Sequence, residues 1–239
     1  MNAPPPIVAP SRSRTRLLIR GLIQLAVALV FFGVPLFWGA GTLAWPHGWI
    51  FVGLLGATLL VNMMVLLVWR PELIRERWKR RNDTKPFDRV FGAFYLLSVL
   101  AMFTLAGLDS VRYRWTSMPQ WLLYVGVALH VLGSFLVLWS MLVNPHLETT
   151  VRIQNDRDHR VVSEGPYRYV RHPMYLGIIP MFLGWSLVLG SWVALGVAGF
   201  IAVLFLVRTA LEDRTLQREL TGYTKFCETT RYRLVPGLW

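Results

Sequence analysis

Two groups of residues have the types and spacing for chemistry. Residues 165–177, GPYRYVRHPMYLG, bring a His-Pro pair, two arginines and three tyrosines to the point where a basic loop runs into an uncharged stretch of membrane-helix length. Pro173 suits the first turn of a helix, where its missing N–H costs little. His172 then stands at a helix N-terminus, beside unpaired donors and the positive end of the dipole. The second group is Arg208 and Glu212, one helical turn apart, with Leu216 and Leu220 continuing the same face. Alone, that pair reads equally well as a plain salt bridge. Its position favours a site, because it emerges at the inner end of the last apolar stretch, close to where the preceding stretch begins. The segment 165–177 therefore reads as the polar half of a site that meets a bilayer.

The elements that must position these residues are membrane helices. The 239-residue chain is 54% hydrophobic and only 16% charged, with a mean hydropathy of +0.45, whereas soluble domains carry about 25% charged residues. No charge occurs between Arg20 and Arg70, Arg89 and Asp109, Arg114 and Glu148, or Arg171 and Arg208. A helix needs about 20 apolar residues to cross the hydrocarbon. The gaps predict an all-α, polytopic membrane bundle of about six helices near 20–44, 48–69, 90–108, 119–143, 173–189 and 191–209. The last two are barely long enough and form either two crossings or a hairpin that dips into one leaflet.

Six crossings put both termini on one side, which then collects 23 of the 25 lysines and arginines, with only Arg112 and Arg114 opposite. The positive-inside rule makes the crowded face cytoplasmic. The net charge of +12 is thus a topology signal, and no nucleic-acid motif accompanies it. Residues 1–16 read as a disordered Pro- and Arg-rich start with no cleavable signal, and 17–239 as one membrane domain. Residues 75–81, RERWKRR, read as a solvated loop facing lipid headgroups. The single cysteine, Cys227, excludes an internal disulfide and a cysteine-built zinc site, and no metal is expected.

Mixed polar chemistry is confined to the loop 144–171 and the tail from Arg208 onward. In order along the chain stand Asn144, Val151-Arg152, Gln154, His159 with Val161-Val162, Gly165-Pro166-Tyr167, Arg171-His172-Pro173 with Tyr175 and Gly177, Arg208 with Glu212, Tyr223, and Arg233 with Pro236. That ordered set resembles the isoprenylcysteine carboxyl methyltransferase family, in particular its bacterial membrane members. The resemblance covers residues 115–239, the motif-bearing half. It implies an integral-membrane enzyme that uses S-adenosylmethionine without a Rossmann domain, consistent with the absence of a GxGxxG motif. The family's cofactor contacts fall on the loop around Arg152 or Gln154, on His159, Arg160, Val161 and Val162, on Tyr167, on His172, Pro173, Met174 and Tyr175, and on Glu212. Its substrate-contacting arginine falls on Arg208. Two departures stand in the tail: Thr221 precedes Gly222-Tyr223 where Phe is frequent, and Asp213 replaces a second Glu.

These residues suit the cofactor's chemistry. Glu212 is expected to hold its ammonium or ribose, the His172 ring and backbone donors its carboxylate or ribose, and Tyr167 or Tyr175 to bound its adenine. Arg208 would orient an anionic acceptor. The expected acceptor is a lipophilic or prenylated molecule reached laterally from the membrane lipids; a prenylcysteine carboxylate, a phospholipid amine, a small thiol and an isoprenoid-like acid all remain open. Plainer readings stand beside these: an interfacial belt for Tyr167, Tyr169 and Tyr175, and snorkelling topology signals for Arg168 and Arg171. His47 and His130 read as structural. Two other functions stay open, a sterol-type NADPH-dependent membrane reductase, which also uses a His-Pro-x-Tyr pattern, and a non-catalytic membrane protein that retains the pocket.

Overall fold

A computed structural model describes residues 12–79 and 83–239. Eight α-helices account for most of them: α1 (Arg12–Ala40), α2 (Pro46–Trp69), α3 (Pro71–Arg77), α4 (Pro86–Gly107), α5 (Leu122–Val143), α6 (Pro173–Leu189), α7 (Trp192–Glu219) and α8 (Tyr223–Thr229). Proline at the first position starts α2, α3, α4 and α6, where the lost donor is one the helix would not use. A π-turn, Leu108–Arg112, extends α4.

Five helices are long and apolar enough to cross a membrane, and α6, at 17 residues, is shorter. Large apolar side chains such as Val27, Val30, Leu132, Phe135 and Val203 lie on the outside, as lipid-facing residues do. The chain is a multi-pass membrane protein. Three sequence-based boundaries shift. Helix α1 begins at Arg12, so residues 12–16, expected to be disordered, are helical; residues 1–11 lie outside the described part. Residues 75–77 of the expected headgroup loop belong to α3, whose buried Leu73 and Ile74 pack on Leu66 and Met141. Residues 80–81 of that stretch lie outside the described part. Helix α7 does not stop near 209 but continues to Glu219, so it is long enough to span and also carries the first part of the polar tail.

Three features of the packing set the site. First, α6 and α7 form a hairpin whose turn is Gly190, at φ +72°, followed by Ser191, which caps α7 by accepting from the Ala194 N–H. The arms from that turn to His172 and to Arg208 are nearly equal in length, so the two residues come level. Second, α5 and α6 lie antiparallel in backbone contact, Gly126 against Gly184 and Gly133 against Gly177. Third, an aromatic core of Phe32, Phe51, Phe103, Phe182 and Trp185 fills the space between α1, α2, α4 and α6. His130 belongs to that interior: the Trp185 indole donates to its Nδ1 at 2.7 Å, and Thr58 Oγ1 lies 2.7 Å from its Nε2. It joins three helices through satisfied polar contacts, the structural role expected of it.

Candidate functional site

At the basic end of the bundle the start of α6, the second half of α7, helix α8 and the loop after α5 enclose a cleft of about 770 Å³, including its open mouth. Gln154, His159, Val161, Val162, Tyr167, His172, Pro173, Met174, Tyr175, Arg208 and Glu212 all line it. Arg160 does not; its side chain is 79% exposed and paired with Asp158. The loop around it turns the guanidinium outward while the two following valines face the cleft.

The polar lining is already organised. The Tyr175 hydroxyl donates to Glu212 Oε2 at 2.6 Å, and the Tyr175 ring stacks on His172 at 5.9 Å. The Arg208 guanidinium sits over the rings of Phe91 at 4.5 Å and Tyr175 at 5.2 Å, and donates to Thr149 O at 3.1 Å. Its Nε lies 2.9 Å from Asp88 Oδ1, off the N–H axis, so the contact is an ion pair and not a directed hydrogen bond. Asp88 Oδ2 accepts the Val151 N–H at 2.8 Å. One carboxylate in the first turn of α4 therefore fixes both the arginine and the loop. Arg152 does not reach the cleft's centre as a free cation: it forks onto Glu148 at 2.7 and 2.9 Å and also bonds Asp156 and Asp83, and Glu148 with Asp156 raises its pKa.

Asp213, the residue that replaces a second Glu, is the anchor of the whole end. It is fully buried. Its Oδ1 takes the Tyr223 hydroxyl at 2.9 Å and faces His172 Nε2 at 3.3 Å, while Oδ2 takes Arg233 Nε at 2.9 Å, Gln217 Nε2 at 2.8 Å and Arg171 Nη2 at 3.1 Å. The tail also pairs its backbone with the start of α6, Tyr232 O accepting from Arg171 N–H and Arg233 O from His172 N–H, both at 2.9 Å. The His172 backbone donor and its ring Nε2 are thus engaged within the protein, while the residue still lines the cleft. His172 supports the wall of the cleft through Tyr175.

One wall is apolar: Tyr167, Leu220, Tyr223 and Phe226 pack together with Val161, Val162 and Leu216. Asn144 donates to the Tyr167 hydroxyl at 3.2 Å, and burial raises the pKa of both Tyr167 and Tyr223, keeping them neutral phenols. Sequence reasoning missed Asp88, Asp213 and His146. For Asp88 a signal existed, an acid at a helix start within an otherwise basic stretch, where the dipole favours it.

His146 stacks on His159 at 4.7 Å between ring centroids. Burial lowers the pKa of His146, and burial with the neighbouring His146 lowers that of His159 from 6.5 to about 4. Over that interval the folded loop binds fewer protons than the unfolded chain, so its contribution to stability is intact above pH 6.5 and is lost as pH falls toward 4. The expected result is an unfolding midpoint in detergent that drops between pH 7 and pH 5. His159→Leu should flatten that slope; an unchanged slope would exclude the pair as its source.

Residues 121–221 match the family model described as phospholipid methyltransferase. The eukaryotic intramembrane Ras methyltransferase, isoprenylcysteine carboxyl methyltransferase, has a similar structure, with a TM-score of 0.51 at 18% identity over 84% of this chain and 72% of that one. The family match over residues 121–221 indicates a membrane methyltransferase, and the solved structure shares its fold. The matched span of this methyltransferase runs from the start of α5 to just past α7, so it includes the loop, His172, Arg208, Glu212 and Asp213. Helices α1–α4 lie outside that match, and none of the motifs singled out in the sequence falls in them. None of the curated proteins compared matches the chain in sequence.

Proposed function

We propose that this methyltransferase holds S-adenosylmethionine in the cleft beneath the loop and methylates a lipophilic acceptor that arrives from the bilayer. The observation that carries this is a second cavity, lined mainly by Phe91, Tyr95, Val137, Ile178 and Phe205, which shares Glu148, Thr150, Met174, Tyr175 and Arg208 with the first. A polar cleft and an apolar cavity meeting at one arginine suit a water-soluble donor and a lipid acceptor.

The residues fit the donor. Glu212 offers a carboxylate for an ammonium or ribose, the Tyr167 and Phe226 wall offers apolar faces for adenine, and Thr150 Oγ1 is buried with no hydrogen-bond partner in the protein. Bound there, S-adenosylmethionine supplies a methyl group on a sulfonium for in-line displacement by the acceptor. The protein's part is positioning and exclusion of water. Arg208 is held rigid between two rings by Asp88, and the loop, tied down at Val151 and Thr149, covers the junction. By the positive-inside rule this end faces the cytosol, with both termini.

Calorimetry on detergent-solubilised protein tests the reading. Wild type should bind S-adenosylmethionine, and Glu212→Ala should weaken it by at least about tenfold, roughly one charge-assisted hydrogen bond, with the unfolding midpoint retained. Unchanged affinity would remove the site assignment. Methyl-labelled cofactor added to membranes then identifies the acceptor by the mass of its product.

A further inference from the structure

Helix α3 was no part of the sequence-based site, yet it delivers a cation to the acceptor cavity. Leu73 and Ile74 bury one face of α3 against Leu66 and Met141, and Arg77, one turn on from both, lines the cavity beside Met141 and Glu148. The charges around it are otherwise matched. Asp88 is paired with Arg208 and accepts from Val151 N–H, and Glu148 is gripped by Arg152 through two hydrogen bonds. Arg77 has one hydrogen bond, from Nη1 to Leu147 O at 3.0 Å, and among the described residues no carboxylate lies within ion-pair distance of it. Burial lowers its pKa, which shows that its surroundings penalise the charge. An unmatched guanidinium facing an apolar cavity is stabilised by an incoming anion, and its planar fork suits a carboxylate or phosphate.

Resting on the two-cavity reading above, we propose that Arg77 selects an anionic headgroup in the acceptor cavity, on the α3 side of the cavity that Arg208 also lines. The acceptor class is then a lipid with a carboxylate or phosphate group next to its methylated atom. Its chain would lie along Tyr95, Val137, Ile178 and Phe205. On its other side Arg77, again with Met141, borders a cleft between α1, α2 and α5 lined by Leu25, Leu59 and Met63, which gives a second chain room beside the same charge.

Dodecyl phosphate, laurate and dodecanol serve as probes, titrated calorimetrically into solubilised wild type, Arg77→Gln and Arg77→Lys, with S-adenosylmethionine affinity measured on each preparation. Wild type should bind the two anions at least about tenfold more tightly than the alcohol, the size of one charge-assisted contact. Arg77→Gln should erase that preference, Arg77→Lys should restore part of it, and cofactor affinity should stay within about twofold. A preference that survives Arg77→Gln overturns the proposal, whereas wild type that binds no cofactor overturns the two-cavity reading instead. Should the variants fail to fold, phenylglyoxal modification of wild type decides: dodecyl phosphate should shield Arg77 in the peptide mass map. No shielding, or equal shielding by inorganic phosphate, overturns the assignment.

Discussion

Asp213→Ala is expected to abolish cofactor binding and to destabilise the protein by about 3–5 kcal/mol, the usual cost of stripping one partner from a buried ionic network. The carboxylate is fully buried and answers Arg171, Arg233, Gln217, Tyr223 and His172 at once. Arg171 is itself nearly buried, with 7% of its side chain exposed, so removing the acid leaves a cation without compensation in the interior. The loss also reaches the cleft. Asp213 joins α7 to the residue that opens α6 and to the tail, and His172 stacks on Tyr175, which bonds Glu212. Asp213→Asn keeps the shape and some hydrogen bonds but removes the charge, so its effect should fall between wild type and alanine. Unfolding midpoints in detergent, with calorimetry for the cofactor, check this; an alanine variant with wild-type affinity would show that the network is dispensable to the site.

Gly177→Leu should be nearly as damaging, through packing alone. A Cβ built at Gly177 comes within 2.6 Å of Gly133 O, and one at Gly133 within 2.4 Å of Gly177 O. Those neighbours are backbone atoms, so the helices themselves must part. In a membrane, helix association depends on close van der Waals packing, which small residues permit. Overpacking a tight interface costs about 1–3 kcal/mol, occasionally more, and here it also displaces Pro173–Tyr175, one turn away. Gly196→Ala and Gly199→Ala are the controls, since nothing lies within 4 Å of a Cβ at either position; Ala there should be neutral or slightly stabilising by helix propensity. Equal midpoints for Gly177→Leu and the controls would show that α5 and α6 tolerate separation.

Much of this architecture was legible from local features. Charge-free stretches of helix length marked six apolar helices, because burying a charge in hydrocarbon is costly whatever the fold. Proline placed the start of α6 at the correct residue, since it excludes itself from a helix interior but not from the first turn. The ordered motif named eleven residues that line one cleft and a twelfth, Arg160, that points away; register along an irregular loop is not set by periodicity, so alternation of inward and outward side chains there could not be read. The closeness of His172 to Arg208 followed from counting residues on either side of Gly190.

What the amino-acid sequence determined by itself was therefore whatever depends on neighbours in the chain: membrane helices, their caps, the placement of basic residues and a motif with its spacing. Only the tertiary structure decided which charges meet. Asp213 looked like a mild substitution and became the anchor of the site, Asp88 clasped Arg208 from a helix far away in the chain, and α3 brought Arg77 from a supposed headgroup loop to a cavity wall. The reason is physical: the energy of an ion pair depends on distance and on the surrounding dielectric, and both are properties of the packed bundle, not of any segment within it.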